Sequence, residues 1–317
     1  MKLIRQQFIF DDPTPTPECH ASTIVRLDDG SLIAAWFAGT KEGAEDVMIW
    51  VSICRDGVWG EPRCVTDEQG IPHWNPVLFR TDEQTVTLFY KLGHKISDWK
   101  TMIIQSCDGG ESWSSPGELI DGDEGGGRGP VKNKAIRASN GRILAPGSTE
   151  RGPWRPFVDV FEPRTGWIKK PINVVVGEGE KINLIQPTLW EAPEGHIHAI
   201  IRSNQGKIYR SDSEDFGDSW CDAYPTDMPN NNSGIDCVLL DDGRLVLACN
   251  PVGDNWGKRT PLSIFVSTDN GATFEKQLDL ETGEGGFAYP AVIYHGDRIF
   301  ITYTWNRKKI AFCEIEI

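Results

Sequence analysis

An aromatic residue returns along this chain at an almost constant interval. Trp59, Trp113, Trp167, Trp220 and Phe274 stand 54, 54, 53 and 54 residues apart, each at the end of a similar short passage. Three of the passages share the template Ser-x-Asp-x-Gly-x-Ser/Thr-aromatic: Ser106 to Trp113, Ser213 to Trp220 and Ser267 to Phe274. A fixed period of this length marks stacked supersecondary units, so it constrains the fold before any residue receives a role.

A second series runs in step with the first. Each member is an apolar run, a tight turn and another apolar run: Thr23–Trp36, Val77–Tyr90, Ala135–Ala145, Thr188–Ile201, Cys237–Cys249 and Ala291–Trp305. Turn pairs such as Asp29-Gly30, Asn140-Gly141 and Asp242-Gly243 supply the positive φ that a hairpin needs. A third strand is predicted after each hairpin, at Val47–Ile53, Met102–Ser106, Phe157–Phe161, Lys207–Ser211, Leu262–Ser267 and Lys309–Ile317, and the aromatic passage leads into a fourth. Four antiparallel strands repeated six times predict an all-β, six-bladed β-propeller, a single domain over residues 1–317. The sixth blade lacks a fourth strand of its own, and the N-terminal Leu3–Phe10 is expected to supply it.

Composition narrows the partners. With a formal net charge of −14 the chain is a poor match for nucleic acid or an anionic membrane surface, though a locally basic pocket still suits an acidic small molecule. No stretch has signal-peptide or transmembrane character, so a cytoplasmic location is expected. The eight cysteines show no close pairing, and Cys54, Cys237, Cys249 and Cys313 lie in predicted strands as reduced core residues. No metal-ligand spacing, phosphate loop or dinucleotide fingerprint is present, and neither a metal nor a cofactor is expected. Oligomeric state is not legible at this stage.

In the recurring passages the Asp is read as accepting backbone N–H bonds in a turn, the Gly as occupying positive φ and the aromatic as wedging between blades. They recur, whereas an active site occurs once, so their role is read as structural. These passages are Asp-boxes, and with six blades the chain resembles the sialidase (neuraminidase) superfamily, specifically its bacterial-type members with BNR repeats.

Chemistry in a propeller gathers at one end of the central channel. Segments leading into the first strands carry His20, Trp74, Lys132, Lys134, Gln186, Asp236 and Tyr289. Loops between second and third strands carry Glu42, Asp46, Lys91, Arg151, Arg202, Arg259 and Arg307. Cations at equivalent points of different blades predict a carboxylate ligand, which the planar fork of Arg binds in bidentate fashion. Trp74, Trp99, Trp154 and Trp305 are candidate flat surfaces for sugar rings. Lys132 and Lys134 alternate, which predicts one shared face.

The resemblance implies an exo-acting hydrolase with an arginine triad for the substrate carboxylate, a tyrosine nucleophile paired with a glutamate, and an aspartate as general acid/base. On this chain Tyr289 in Phe-Ala-Tyr-Pro-Ala matches the nucleophile's position, Arg259 the third arginine, Arg202 more loosely the second, and Asp46 the acid/base with Glu42 as rival. Two departures stand out. His20-Ala21-Ser22 replaces Arg-Ile-Pro at the start of the first blade, and Gln186 stands nearest the place of the glutamate. The expected function is hydrolysis of a terminal acidic sugar, sialic acid or a uronate, from an oligosaccharide or glycan. The alternatives are a uronate lyase acting by β-elimination, with His20 or Tyr289 moving the proton, and a non-catalytic glycan-binding propeller.

Overall fold

The computed structural model describes residues 1–12 and 14–317. It is a six-bladed β-propeller of antiparallel sheets, with one short 3-10 turn at Ile96–Asp98. In chain order, β1 (Lys2–Phe8) precedes the first blade, which comprises β2 (Glu18–Arg26), β3 (Leu32–Gly39), β4 (Met48–Arg55), β5 (Val58–Trp59) and β6 (Arg63–Cys64). The second blade is β7 (His73–Arg80), β8 (Val86–Leu92), β9 (Lys100–Ser106) and β10 (Gly117–Glu118). The third is β11 (Ile136–Arg137), β12 (Ile143–Thr149), β13 (Arg155–Glu162) and β14 (Gly166–Pro171). The fourth is β15 (Leu184–Glu191), β16 (Ile197–Ser203), β17 (Lys207–Ser213) and β18 (Tyr224–Pro229). The fifth is β19 (Asp236–Leu239), β20 (Leu245–Cys249), β21 (Leu262–Ser267) and β22 (Glu275–Glu281). In the sixth, β23 (Phe287–His295), β24 (Arg298–Trp305) and β25 (Lys309–Glu316) are completed by β1, which pairs antiparallel with β25 from Lys2↔Glu316 to Phe8↔Ala311. The N-terminal strand thus closes the last blade, as the hairpin series predicts.

Contacts divide the chain into two compact units, residues 1–127 with 289–317, and residues 128–288. Each is considered by itself. Second strands are largely apolar because both faces are covered: β3 and β16 are buried throughout, β16 with His198, Arg202 and Ser203 among its residues. In the first unit the core joins Ile24, Leu32, Ala34 and Trp36 to Ile310 and Phe312. In the second, Leu144 and Val158 pack with Leu189 and Ala199, and Trp190 and Ile200 with Leu245 and Leu247.

The Asp-boxes act as locks. Asp108 Oδ1 accepts from the Ser112 backbone N–H at 2.9 Å and the Ser106 hydroxyl at 2.8 Å, and Ser106 Oγ accepts from the Gly110 N–H at 2.8 Å. The boxes around Asp215 and Asp269 repeat these bonds. Glycine is required at Gly110, Gly217 and Gly271 twice over. Each has positive φ (88°, 85° and 78°), and a Cβ would meet Ile33, Leu144 or Trp190 of the preceding blade at 2.9, 2.6 or 3.0 Å.

These hydrogen bonds favour the ionised form and hold Asp108 and Asp269 at about 2, below the ordinary value of about 3.9. A depressed folded-state pKa gives stabilisation that is present above the unfolded value and lost as pH falls through the folded one. Asp108→Asn is therefore expected to lower the melting temperature near neutrality, with the gap to wild type narrowing between about pH 4 and about pH 2. An activity defect at unchanged melting temperature overturns the structural role.

Candidate active site

One residue with a left-handed backbone lies in, or just before, the first strand of every blade. Ala21, Asn75, Lys132, Gln186, Asn232 and Tyr289, one per blade, have φ of 56°, 42°, 68°, 55°, 59° and 56°. Where pairing continues on both sides the cause is visible. His20↔Phe37 is followed by Thr23↔Ala35, so β2 holds one residue more than β3, and the same extra residue interrupts β7 and β15. Such bulges re-aim a side chain. A left-handed residue other than glycine costs on the order of 1–3 kcal/mol, less for Asn, so its return in each blade marks these segments as candidates for function.

In the first unit His20 and Tyr289 come together. Their ring centroids are 4.3 Å apart at 49°, with Phe37 edge-on to His20 at 5.6 Å. His20 is 2% exposed and Tyr289 9%. His20 Nδ1 lies 2.9 Å from Thr304 Oγ1 on β24, and that oxygen also accepts from the Ala21 N–H at 3.1 Å. Thr304 therefore fixes both the imidazole and the strained backbone beside it. The loop between β3 and β4 supplies the carboxylates. Asp46 Oδ2 accepts from the Thr40 N–H at 3.0 Å and the Thr40 hydroxyl at 2.5 Å. Glu42 pairs with Arg307 at 2.6 Å, while its N–H reaches Glu18 Oε2 at 3.4 Å.

In the second unit Arg202, on β16 and 3% exposed, is held by two amide oxygens, Asn232 Oδ1 at 2.8 Å and Gln186 Oε1 at 3.0 Å. Its guanidinium lies 6.0 Å from the Trp154 ring and 5.8 Å from that of Trp256. Trp256 is 61% exposed, and its own backbone is left-handed at φ 58°. Asn231 pins its loop, accepting the Trp256 N–H at 3.1 Å on its carbonyl and donating from Nδ2 to Lys258 O at 2.7 Å. A rigid, outward-facing indole beside a guanidinium suits a sugar ring that bears an acid. Below it, Lys132 Nζ donates to Asn133 Oδ1 and Ile235 O, both at 2.7 Å. Lys134 Nζ donates to both oxygens of Asp236 at 3.0 Å and to Cys237 O at 2.8 Å. Burial carries the Lys132 ammonium down to about 7, with Asp236 opposing and Lys134 and Arg202 adding to the shift. Among the described residues no group of three or more His, Cys, Asp and Glu side chains is arranged to hold a metal ion.

The sequence pattern of the BNR repeat-like domain family matches residues 30–301. The chain belongs to this family. Among curated protein sequences none matches it. Of solved structures, a Dyadobacter fermentans protein of unknown function superposes with a TM-score of 0.78 at 17% identity, over 100% of this chain and 99% of that one. The Hadza microbial sialidase Hz136 superposes with a TM-score of 0.78 at 16% identity, over 95% of this chain and 66% of its own length. Trypanosoma rangeli sialidase follows with a TM-score of 0.74 at 15% identity, over 94% and 55%. The chain thus spans about two thirds and about half of these two sialidases. At such identities the likeness is one of fold.

Several predicted site residues of this BNR repeat-like protein sit differently from the sequence expectation. Trp74 is no open platform: its Nε1 donates to Gly93 O at 2.9 Å, and its ring packs between Phe37, Trp99 and Gly43. Trp99 is 3% exposed and equally closed. Lys91 is buried with Nζ on Thr101 Oγ1 at 2.7 Å. The half-buried Lys134 pairs with the buried Asp236, to which the Thr188 hydroxyl also donates at 2.7 Å, so their charges offset each other. The strand expected at Lys132 and Lys134 begins only at Ile136, although both ammoniums reach the same segment, 235–237. Arg307 answers Glu42. Arg151 is exposed in the loop between β12 and β13, and Arg259 is half-buried, its carbonyl accepting from the Phe287 N–H at 2.8 Å.

Sequence reasoning missed Thr304, Asn232 and Trp256. For the bulges a signal existed: Asn75-Pro76, Gln186-Pro187 and Tyr289-Pro290 recur at the same point of three blades.

Proposed function

We propose that this chain is a sialidase-like exo-glycoside hydrolase that removes a terminal acidic sugar, sialic acid or a uronate, from a glycan. The observation that carries the reading is Tyr289, a phenol on a strained, left-handed backbone with its ring against His20 at 4.3 Å. A neutral nucleophile suits an acidic sugar, because a carboxylate in its place would be repelled by the substrate's own charge. The Tyr289 oxygen attacks the anomeric carbon as the bond to the leaving oxygen breaks, and the phenol proton passes to His20. Asp46 delivers its proton to the leaving oxygen, then takes one from the water that cleaves the tyrosyl-sugar bond. Glu42 is the weaker candidate for this role because Arg307 already holds it. Considered by itself, the second unit offers Arg202, held by neutral amide oxygens, as a group suited to a carboxylate.

A second reading is favoured by the contact between His20 and Tyr289 and the bond from Thr304 to His20. In a uronate lyase His20 removes the C5 proton, the C4–O bond breaks as the C4=C5 double bond forms, and Tyr289 protonates the leaving oxygen. Incubation with sialosides and uronate-terminated oligosaccharides separates the readings by mass and ultraviolet absorbance. Products that together gain one water, with no rise in absorbance, are expected for hydrolysis. An unsaturated, absorbing product without water uptake replaces that reading with elimination. Binding without turnover of any panel member leaves a glycan-binding propeller.

A further inference from the structure

Trp74 is closed to a sugar, yet within the first unit it touches both the ring series that holds Tyr289 and the loop that carries Asp46. Tyr289 lies 4.3 Å from His20, His20 5.6 Å from Phe37, and Phe37 6.1 Å from Trp74, centroid to centroid. The last two contacts are edge-on, at 84° and 61°, and all four side chains are buried. Behind the indole Trp99 packs at 5.5 Å, and Gly93 O accepts the indole N–H at 2.9 Å, so the ring is fixed in place.

The opposite edge of the indole meets the loop between β3 and β4. A Cβ on Gly43 would stand 3.0 Å from Trp74 Cη2, and Gly43 has φ 81°. The ends of this loop are fastened separately. Gly39 lets β3 and β4 approach until a Cβ would meet Val47 Cα at 2.9 Å, and Thr40 donates twice to Asp46. Val47 O accepts from the His73 N–H at 3.1 Å and from His73 Nδ1 at 2.9 Å. Glu42 adds its ion pair with Arg307 through two long side chains. Trp74 bears on the middle of the loop, from beneath.

We infer that Trp74 is a positioning residue for the hydrolysis proposed above, its indole setting the Asp46 loop against the ring series that ends in Tyr289; the inference rests on the acidic-sugar reading. That reaction needs two groups at one bond. The phenol oxygen joins the anomeric carbon while the Asp46 carboxyl proton passes to the leaving oxygen. A displacement of about 1 Å costs on the order of 100-fold. Moving the loop alone keeps the attack and withdraws the proton. An alkoxide needs that proton to depart, whereas a nitrophenolate leaves without it.

The test reads kcat/KM, which reports departure of the leaving oxygen, on alkyl and 4-nitrophenyl glycosides of N-acetylneuraminic acid and glucuronic acid. Trp74→Phe keeps a ring for Phe37 but removes the edge that bears on Gly43. Its kcat/KM is expected to fall about 100-fold on the alkyl glycoside and no more than about threefold on the nitrophenyl one. Gly43→Ala pushes the loop from the other side and is expected to show the same selective loss. Should the melting curve show that Trp74→Phe does not fold, Gly43→Ala decides, because it leaves every buried ring in place. An equal loss on both leaving groups, or no loss, overturns the inference and leaves the hydrolytic reading intact. Cleavage of the nitrophenyl glycosides alone by the wild-type protein overturns it as well, since no proton is then delivered. Failure of the wild-type protein to cleave any of the four removes the acidic-sugar reading, and the inference with it.

Discussion

Replacing Tyr289 by Phe is expected to lower turnover of the acidic-sugar substrate on the order of 10⁴-fold, the scale on which removing a nucleophile acts. The fold should survive. Phe keeps the ring that packs against His20 at 4.3 Å, and residues without a hydroxyl hold a similar left-handed backbone in other blades, Ala21 at 56° and Gln186 at 55°. Losing one buried hydroxyl changes stability by about 1 kcal/mol. Steady-state kinetics read beside a melting curve check both parts. Retained turnover eliminates the tyrosine from the hydrolytic and the elimination mechanisms alike, whereas a collapsed melting temperature assigns the residue to packing.

The largest effect on stability is expected at Asp236. Its carboxylate, almost completely buried, accepts from Lys134, from the Thr188 hydroxyl at 2.7 Å and from the Cys237 N–H at 2.9 Å. Asp236→Ala leaves the half-buried Lys134 ammonium without its counter-charge beside a second lysine. Breaking a buried pair by removing one partner costs about 3–5 kcal/mol. For a chain of this size that is a fall in melting temperature of about 5–7 °C. Asp236→Ala combined with Lys134→Met should recover most of the loss, because an apolar side chain needs no counter-charge. An unchanged melting temperature with a raised KM would return Asp236 to the substrate-binding role that its position in the sequence suggested.

These expectations show which part of the reading needed three dimensions. Asp236, Lys134 and Lys132 all lie in segments that lead into first strands, and from there each reads as a substrate ligand. Only their mutual geometry shows that two of the three neutralise one another. Trp74 follows the same pattern. Its chain position is right for a platform, yet Gly43 and Trp99 close over its ring. Trp256, which does face solvent, lies in an irregular loop where no period calls attention to it.

The architecture was legible from the chain because each signal for it is local and repeated. An Asp-box closes its hydrogen bonds within a few residues, a hairpin turn needs its own Gly, and a strand covered on both faces must be apolar along its length. Six copies average out the ambiguity of any one, and the same count leaves the N-terminal strand as the partner for β25. Contacts between polar side chains obey no such period. His20 meets Thr304 across 284 residues and Lys132 meets Ile235 across 103, so no local pattern encodes either meeting. The sequence by itself determined the blades, their number and the segments that lead into their first strands. Tertiary structure decided which side chains face one another there, because an extra residue in a first strand turns its neighbours by an amount that only the paired strand reveals.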